Sequence, residues 1–298
     1  KFNSNFNKNI GKQKAVYLNQ QIFVFAEQEE QIGVTIANQA DGNQWTTLQS
    51  IDIPTKADYT SVIAWGESLY ILASNELYTS NNGINWTKVT TEQKLKSLVA
   101  SFDLTENKKL IGVTIDNLYT ESVDGSTWAT YGAIPSEFPQ APYSFASYPL
   151  ATNNQLNRIV LMGENEITGD TTNVVWTQLA AEHEWIPLFM EDNPSSCPNL
   201  VNPSMIHYDN QLYVFGGPGK NGDSAKAFEY FYTSNDNGIG WERITKNVLF
   251  PQECNTLYTE ADGHYSYIVD NNHFLWIMWG KTGEVWRGRI NRLGFVNQ

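Results

Sequence analysis

Cysteine and long apolar runs are both scarce in this sequence. Its two cysteines, Cys197 and Cys254, lie 57 residues apart and belong to no Cys-x-x-Cys or Cys/His pattern. That spacing argues against a zinc site and leaves a single disulfide open. The longest apolar runs, such as residues 274–279, are strand-sized, whereas a membrane helix needs roughly 20 residues. We therefore expect neither a zinc protein nor a membrane-spanning helix.

Positive charge is scarce as well. Lys and Arg number 19 against 32 Asp and Glu, which gives a formal net charge of −13 and a pI near 4.7. Such an acidic chain repels nucleic acid and anionic membrane surfaces. We therefore expect no nucleic-acid partner. The first residue is Lys1, so we also expect a leader, a linker or an upstream N-terminal domain to precede these residues.

Aromatic and turn-forming residues are abundant instead. The chain has 10 Trp, 15 Tyr and 14 Phe, spread over its whole length with Asn, Asp and Gly between them. Aromatic residues favour strands, and Asn, Asp and Gly favour tight turns. The composition therefore predicts many short strands.

One hairpin occurs four times. In each copy a strand ends, an Asn/Asp-Gly turn follows, and a Trp begins the next strand. The copies are residues 40–45, 80–86, 122–128 and 234–241. In such a turn the Asp or Asn side chain caps backbone amides, and Gly takes the positive φ. The turn resembles the Asp-box of sialidase-like propellers.

A second element recurs upstream of these turns. It is a small polar turn followed by an apolar strand, at residues 19–25, 66–72, 209–215 and 271–277. In the fifth repeat this strand ends Tyr213-Val214-Phe215-Gly216-Gly217, which resembles the kelch signature of an apolar strand closed by a Gly pair.

The repeat interval predicts the fold. The equivalent positions Trp45, Trp86, Trp128, Trp185, Trp241 and Phe295 are 41, 42, 57, 56 and 54 residues apart. Each interval holds four strands, the unit of a propeller blade, whereas a two-sheet sandwich would give no reason for the repeated hairpin. We predict an all-β, six-bladed β-propeller with four antiparallel strands per blade. Its predicted parts are a linker or outer clasp at 1–13 and blades at 14–54, 55–94, 95–135, 140–190, 200–248 and 256–298.

The end of the chain carries a family resemblance. The segment Trp286-Arg287-Gly288-Arg289-Ile290-Asn291-Arg292-Leu293-Gly294-Phe295, together with the Asn-rich repeats, resembles the C-terminal propeller domain of uncharacterised exported proteins from gut anaerobes. The resemblance implies export, to the periplasm or the outer cell surface, and an N-terminal domain upstream. It implies no known activity.

The predicted propeller has two faces with different roles. The turn residues Asp41, Asp124 and Asp236 lie on one face, where a turn-capping carboxylate is scaffold. The opposite face carries the longest loops, which is where binding usually occurs on a rigid scaffold. The loops are residues 132–142, 189–203, 216–225 and 246–260. The candidate ligand-binding residues are Tyr143, His207, Lys220, Tyr258, Glu260 and Asp262. Two alternatives stay open: these loops are ordinary solvated loops, and His207 is a core residue.

Catalytic motifs are not recognisable. A sialidase would need three arginines that come together from several blades. This chain has only five, at 158, 243, 287, 289 and 292, and the last three lie in one tail, so no such triad can be drawn. Arg287 and Arg289 alternate along one strand face, so we expect them to stack on aromatic residues or pair with the adjacent blade. The four His residues have no metal-binding spacing, no Gly-x-Ser-x-Gly elbow is present, and residues 217–224 do not match a phosphate loop. We assign no catalytic residue, metal or cofactor.

These features lead to three functional hypotheses. The first is a non-catalytic recognition module, a monomer that binds a glycan or a protein through the loop-rich rim. The second is a carbohydrate-active enzyme, a hydrolase or lyase that uses carboxylates and Tyr of the same rim. The third is a structural or assembly domain.

Overall fold

The structure is a computed structural model of the 298-residue chain. It describes residues 1–7, 13–28, 31–53, 59–101, 109–135, 144–149, 157–164, 173–179, 183–188, 204–208, 211–215, 231–235, 238, 240–243, 265–280 and 282–289. Every regular element in these ranges is a β-strand, and no helix in them is long and apolar enough to cross a membrane.

The first three sheets are antiparallel and have four strands each. Sheet 1 contains β1 (Gln13–Leu18), β2 (Gln21–Gln28), β3 (Gln31–Asn38) and β4 (Gln49–Ser50). Sheet 2 contains β5 (Tyr59–Trp65), β6 (Ser68–Ala73), β7 (Glu76–Ser80) and β8 (Thr87–Lys88). Sheet 3 contains β9 (Leu95–Ser101), β10 (Lys109–Thr114), β11 (Leu118–Ser122) and β12 (Ala129–Ala133).

The last three sheets continue the same up-and-down order. Sheet 4 contains β13 (Ser144–Pro149), β14 (Asn157–Glu164), β15 (Asn173–Leu179) and β16 (Ile186–Leu188). Sheet 5 contains β17 (Ser204–Tyr208), β18 (Gln211–Phe215), β19 (Phe231–Ser234) and β20 (Glu242–Arg243). Sheet 6 contains β21 (Tyr265–Val269), β22 (Leu275–Trp279) and β23 (Glu284–Gly288).

The predicted all-β class and the four-stranded antiparallel sheet are confirmed. The prediction of four strands in every blade is not met in the described residues, because only five sheets have four strands and sheet 6 has three. The residues expected to supply its outer strand, 293–296, lie outside the described part. A different segment lies beside its outer strand β23, where the Phe2 amide donates to the Val285 carbonyl at 2.9 Å.

In sheets 2, 3 and 6 the second strand is almost completely buried. Every described side chain of β22 is buried, and β6 and β10 are buried after their first residue. The tight turns that flank these strands explain their register. Asn19 and Gln20 between β1 and β2, and Ser74 and Asn75 between β6 and β7, all have positive φ. Two consecutive positive φ values give the two-residue turn whose twist matches that of an antiparallel hairpin.

The turns that precede Trp45 and Trp128 are capped by side chains, as predicted for Asp41 and Asp124. Asp41 accepts from the Asn43 amide at 2.9 Å, and Asp124 accepts from the amides of Ser126 and Thr127 at 2.8 and 2.7 Å. In three of these hairpins the Trp then closes the turn, because its indole Nε1 donates to the Gly carbonyl three residues earlier. This bond occurs at Trp45, Trp86 and Trp241, at 3.0, 3.0 and 3.1 Å. The third acid of the prediction, Asp236, lies outside the described residues.

Two of the turn glycines also press against an aromatic ring of the preceding sheet. A Cβ on Gly83 of sheet 2 would lie 2.7 Å from the Phe23 ring of sheet 1. A Cβ on Gly125 of sheet 3 would lie 3.0 Å from the Tyr70 hydroxyl of sheet 2. Gly83 and Gly125 also have φ values of 76° and 79°, which disfavour any side chain. Glycine is therefore required twice over, by the backbone and by the ring.

The first sheet repeats this arrangement against the last sheet. A Cβ on Gly42 would lie 2.6 Å from the Trp276 ring of β22. A hydrophobic cluster joins the same two sheets, with Ile22 and Val24 on one side and Ile268 and Met278 on the other. Sheet 1 packs against sheet 2 on its opposite face through a second cluster. Packing a sheet on both faces is how neighbouring repeats bury a surface that one sheet cannot bury alone.

By packing, the chain divides into two compact units. The first unit comprises residues 1–100, 124–128 and 262–298, and it contains the junctions just described. The second unit comprises residues 101–123 and 129–261. In the second unit the first strands of sheets 4 and 5, β13 and β17, lie side by side.

Candidate functional site

Of the six residues predicted to bind a ligand, His207 alone belongs to the described part of the chain. It is half-buried on β17, where it pairs with Leu212 of β18. The others, Tyr143, Lys220, Tyr258, Glu260 and Asp262, lie outside the described residues, as do most of the predicted rim loops. The rim site stays a prediction.

A different group of polar side chains meets in the second unit, around Glu121 of sheet 3. Glu121 lies on β11, two residues from Tyr119, and the alternation of a strand puts both side chains on one face. On the neighbouring strand β10, Ile111 is directly opposite Glu121, so Lys109, two residues before it, shares that face. Strand geometry alone thus places the side chains of Glu121, Lys109 and Tyr119 on one face of the sheet.

Three hydrogen-bonding groups surround the Glu121 carboxylate, which is 5% exposed. The Tyr119 hydroxyl donates to Oε1 at 2.6 Å, and the Lys109 ammonium donates to Oε2 at 3.0 Å. The His183 Nδ1 lies 3.2 Å from Oε1. A buried carboxylate is stable when it is paired and hydrogen-bonded in this way. Since an ionised carboxylate only accepts, the His183 Nδ1 carries the proton in this pair.

Tyr131 of β12 covers the cluster on its exposed side. Its ring stacks on the His183 ring, with centroids 3.7 Å apart and an interplanar angle of 11°. The position comes from a β-bulge: Tyr119 is opposite Gly132 and Thr120 is opposite Thr130, so Tyr131 is an extra residue between the two pairs. A bulge re-aims a side chain, and bulges are common next to functional sites. Tyr131 is 47% exposed, and every residue of this outer strand is exposed.

His183 is held in an unusual backbone conformation just before β16. Its φ is 50°, a value that is uncommon for residues other than Gly, and its side chain is 30% exposed. Two residues later, Trp185 is buried and packs edge-on against the Tyr119 ring, with centroids 6.3 Å apart. Strained backbone that persists at a polar cluster is a mark of functional sites.

We call Lys109, Tyr119, Glu121, Tyr131 and His183 the sheet 3–4 cluster. Its carboxylate is sealed from solvent, so a ligand would meet the Tyr131 ring, the outer edge of His183 and the Lys109 ammonium. The charge of Lys109 is balanced within the cluster by its pair with Glu121. A stacked aromatic ring beside polar side chains suits a ligand with an apolar face and neutral hydroxyl groups. Among the described residues no group of His, Cys, Asp and Glu is arranged to hold a metal ion.

Sequence reasoning missed this cluster, although one signal for it exists. Glu121 precedes Ser122 at the end of β11, and the equivalent residues of sheets 2 and 5 are Thr79 before Ser80 and Thr233 before Ser234. Those threonines donate to second-strand carbonyls of Leu69 and Leu212 at 3.2 and 3.3 Å. Glu121 is therefore a charged residue at a position where sheets 2 and 5 have Thr, and this difference from the repeat is visible in the sequence.

The two arginines of β23 and its end stack on aromatic rings, as predicted. Arg287 lies 5.0 Å from the ring centroids of both Phe2 and Trp276, and 4.8 Å from that of Phe274. Arg289 lies 4.4 Å from the Phe274 ring and donates to the Asn272 carbonyl. These contacts explain both residues as packing groups.

Comparisons with known proteins agree with this architecture. The sequence profile of the family described as DUF6242 beta propeller domain matches residues 2–298. Among solved structures, the crystal structure of the GH74 xyloglucanase from Xanthomonas campestris matches with a TM-score of 0.55 at 13% identity, over 93% of this chain and 44% of that chain. At this identity the likeness shows the fold alone, and the chain spans less than half of that enzyme's length. No curated protein sequence matches the chain.

Proposed function

Because the chain belongs to the family of DUF6242 β-propeller domains, we propose that it is a non-catalytic recognition module of an exported bacterial protein and binds a neutral glycan. The binding surface in this proposal is the sheet 3–4 cluster. The observation that carries it is the exposed Tyr131 ring, which lies at a bulge and stacks on the His183 ring.

The chemistry of a sugar ring suits this surface. A pyranose has one face of C–H groups, which packs on a flat aromatic ring, and an edge of hydroxyls, which needs hydrogen-bonding partners. The stacked pair of Tyr131 and His183 supplies the flat ring already held in place. The His183 edge and the Lys109 ammonium supply the polar partners beside it. Because the ring pair is fixed before binding, little side-chain entropy is lost when the ligand arrives.

Charge selects among glycans. The whole chain carries a formal charge of −13, which disfavours polyanionic sugars, and the charge of Lys109 is balanced by Glu121. The structurally similar protein from Xanthomonas campestris is named as a xyloglucanase. Xyloglucan oligosaccharides are therefore the first neutral glycans to try. The rim residues Tyr143, His207, Lys220, Tyr258, Glu260 and Asp262 are a second surface for the same role.

The proposal includes a finer description of the fold. We count sheet 6 as a sixth blade and assign the capped Gly-Trp turns to the Asp-box type. Support comes from the contacts of sheet 6 with sheet 1, which use the same glycine and aromatic positions as the contacts between sheets 1 and 2 and between sheets 2 and 3.

The test is a glycan array followed by calorimetric titration with xyloglucan oligosaccharides. We expect Tyr131→Ala to weaken binding at least about 10-fold, the equivalent of ~1.4 kcal/mol. Tyr131→Phe keeps the ring and should stay within about 2-fold, since only the hydroxyl is lost. Ile115→Ala is a matched control, because Ile115 is also 47% exposed on sheet 3 but lies in the turn after β10.

Two results would count against the proposal. If the folded protein binds no glycan on the array, the proposal that the ligand is a glycan is wrong. If Tyr131→Ala binds with unchanged affinity, the sheet 3–4 cluster is not the binding site. If the protein releases reducing ends from a bound oligosaccharide, it is a carbohydrate-active enzyme and not a non-catalytic recognition module.

A further inference from the structure

The first six residues lie across the junction between sheet 6 and sheet 1, where they contact both sheets. On sheet 6, the Phe2 amide donates to the Val285 carbonyl at 2.9 Å, the Ser4 hydroxyl donates to the Gly283 carbonyl at 3.3 Å, and Lys1 pairs with Glu284. We call residues 1–6 the N-terminal segment. All of these contacts are within the first unit of the chain.

On sheet 1, one residue of the segment makes most of the polar contacts. The Asn5 amide donates to the Asn43 carbonyl at 3.0 Å. The Asn5 side chain then binds both backbone groups of Trp45: its Nδ2 donates to the carbonyl at 3.1 Å, and its Oδ1 accepts from the amide at 2.6 Å. A side-chain amide that pairs with both backbone groups of one residue is a specific form of recognition, because few other side chains carry a donor and an acceptor so spaced.

Two aromatic side chains anchor the segment on either side of Asn5. Phe2 stacks on Trp276 with centroids 5.3 Å apart at 8°, and the Arg287 guanidinium lies over the same Phe2 ring. Phe6 is 3% exposed and meets Trp45 edge-on at 4.8 Å. The segment is therefore read as Phe-x-x-Asn-Phe, with an anchor at each end and one amide between the anchors.

The surface that receives the segment is held by contacts of its own. We call it the seam groove, lined by Gly42, Trp45, Trp276, Val285 and Arg287. The Trp276 Nε1 donates to the Asp270 carboxylate at 2.8 Å, the Trp45 Nε1 donates to the Gly42 carbonyl at 3.0 Å, and Arg287 donates to the Gln39 carbonyl at 3.2 Å. None of these bonds uses the N-terminal segment. Because these bonds do not depend on the segment, we expect the groove to keep its shape when the segment leaves, as a preorganised binding site does.

We propose that the seam groove is a peptide-binding site for an extended Phe-x-x-Asn-Phe sequence, and that the chain's own N-terminal segment is its displaceable ligand. The site is separate from the sheet 3–4 cluster and does not depend on the glycan proposal. Recognition follows the mode in which an extended peptide lies beside the outer strand of a sheet, with backbone hydrogen bonds for affinity and side-chain pockets for specificity.

The experiment supplies the segment in trans. A variant that lacks residues 1–6 is titrated with the synthetic peptide of residues 1–7, Lys-Phe-Asn-Ser-Asn-Phe-Asn, and binding is followed by tryptophan fluorescence and calorimetry. We expect saturable one-to-one binding, a lower Tm for the variant than for the full chain, and recovery of Tm as peptide is added. The full chain should bind the same peptide at least about 10-fold more weakly, since its own segment competes.

Peptide variants identify the contacts that count. We expect Phe2→Ala, Asn5→Ala and Phe6→Ala each to weaken the peptide about 10-fold or more, because each of these side chains makes direct contacts with the groove. Asn3→Ala is the matched control, because Asn3 is exposed and makes none of the contacts above, so it should bind like the natural sequence. Equal binding of the Asn3 and Asn5 peptides, or no binding to a folded truncated variant, would overturn the proposal.

A second variant keeps the test valid if the truncated chain does not fold. The full chain with Phe2→Ala and Asn5→Ala retains the segment but weakens its hold on the groove. We expect this chain to bind the natural peptide more tightly than the unmodified chain does. The full chain with Asn3→Ala should bind the peptide as weakly as the unmodified chain. If the double variant and the Asn3 variant bind the peptide equally, the groove does not recognise the sequence.

Discussion

Two kinds of junction between neighbouring sheets occur in this molecule, and they differ in the residues that make the contact. Where sheet 2 meets sheet 1, a turn glycine presses on an aromatic ring, Gly83 on Phe23. Where sheet 4 meets sheet 3, the residue three positions before the repeat Trp is Glu182, and the next residue, His183, reaches Glu121 across the junction. The first junction is made of backbone and ring, the second of titratable side chains.

The difference separates scaffold from candidate site. A glycine against a ring needs nothing from solvent or ligand, and it recurs at Gly42, Gly83 and Gly125. The cluster at sheets 3 and 4 buries a carboxylate, holds His183 at a φ of 50° and has a bulge at the exposed Tyr131. Bulges and positive φ values also occur elsewhere in the molecule, but here they coincide with a buried carboxylate, and such places are where function is expected.

The largest effect should come from adding one methyl group at the first kind of junction. Gly83→Ala places a Cβ 2.7 Å from the Phe23 ring at a φ of 76°, so it combines overpacking with backbone strain. We expect the free energy of unfolding to fall by about 3 kcal/mol, as the sum of the two effects. The measurement is urea unfolding followed by tryptophan fluorescence.

Gly66→Ala is the matched control for that substitution. Gly66 has a φ of 61°, but a Cβ there meets nothing within 4 Å, so only the backbone strain of about 1 kcal/mol applies. The double variant Gly83→Ala with Phe23→Ala should lose less than the sum of its single variants, because removing the ring makes room for the methyl group. Equal losses for Gly66→Ala and Gly83→Ala would show that the ring contact plays no part.

A smaller effect is expected at the second kind of junction. Glu121→Ala leaves the buried Tyr119 hydroxyl and the partly exposed Lys109 ammonium without their acceptor. We expect a loss of about 2 kcal/mol in the free energy of unfolding, below the full cost of breaking a buried pair because Lys109 and His183 reach solvent. Thermal and urea unfolding would measure it.

Glu121→Thr tests whether the repeat rule still applies at this position. Threonine is the residue of sheets 2 and 5, where Thr79 and Thr233 donate to a second-strand carbonyl. We expect Glu121→Thr to recover about 1 kcal/mol of the loss seen with alanine, the net value of one hydrogen bond. If threonine and alanine are equally destabilising, the junction has diverged too far for the repeat residue to fit.

The scaffold was readable from the sequence because it is periodic. The capping acids Asp41 and Asp124, the repeat Trp residues and the apolar second strands recur at a blade-like interval, and each has a local physical reason. The stacking of Arg287 was also predictable, since alternation on a strand next to aromatic residues leaves few other environments.

The candidate site was not readable in the same way. It needs a bulge at Tyr131, a positive φ at His183 and a contact between residues 62 positions apart, Glu121 and His183. None of these follows from periodicity or propensity, because bulges and strained residues depend on packing that only the folded chain supplies. The N-terminal segment was predicted as a linker or clasp, but its specific contacts with Trp45 and Trp276 also required the fold.

The smallest effect is expected in the pH dependence of the free energy of unfolding at a glycine junction. Burial raises the pKa of the Tyr70 hydroxyl, the group that faces Gly125, and the Asp124 carboxylate raises it further. A pKa raised in the folded state means that the folded chain holds the proton more tightly than the unfolded chain, whose value is near 10.0. The stability from this group is therefore complete below about pH 10 and is lost as the pH rises through the folded pKa.

Tyr70→Phe removes this titration, so the difference in unfolding free energy between the natural chain and the variant should be constant at lower pH and should shift against the natural chain above about pH 10. Urea unfolding of both proteins at intervals across that range measures the difference directly, because the other titrating groups cancel. Parallel losses in the two proteins would mean that Tyr70 ionises at the glycine junction as freely as it does in water.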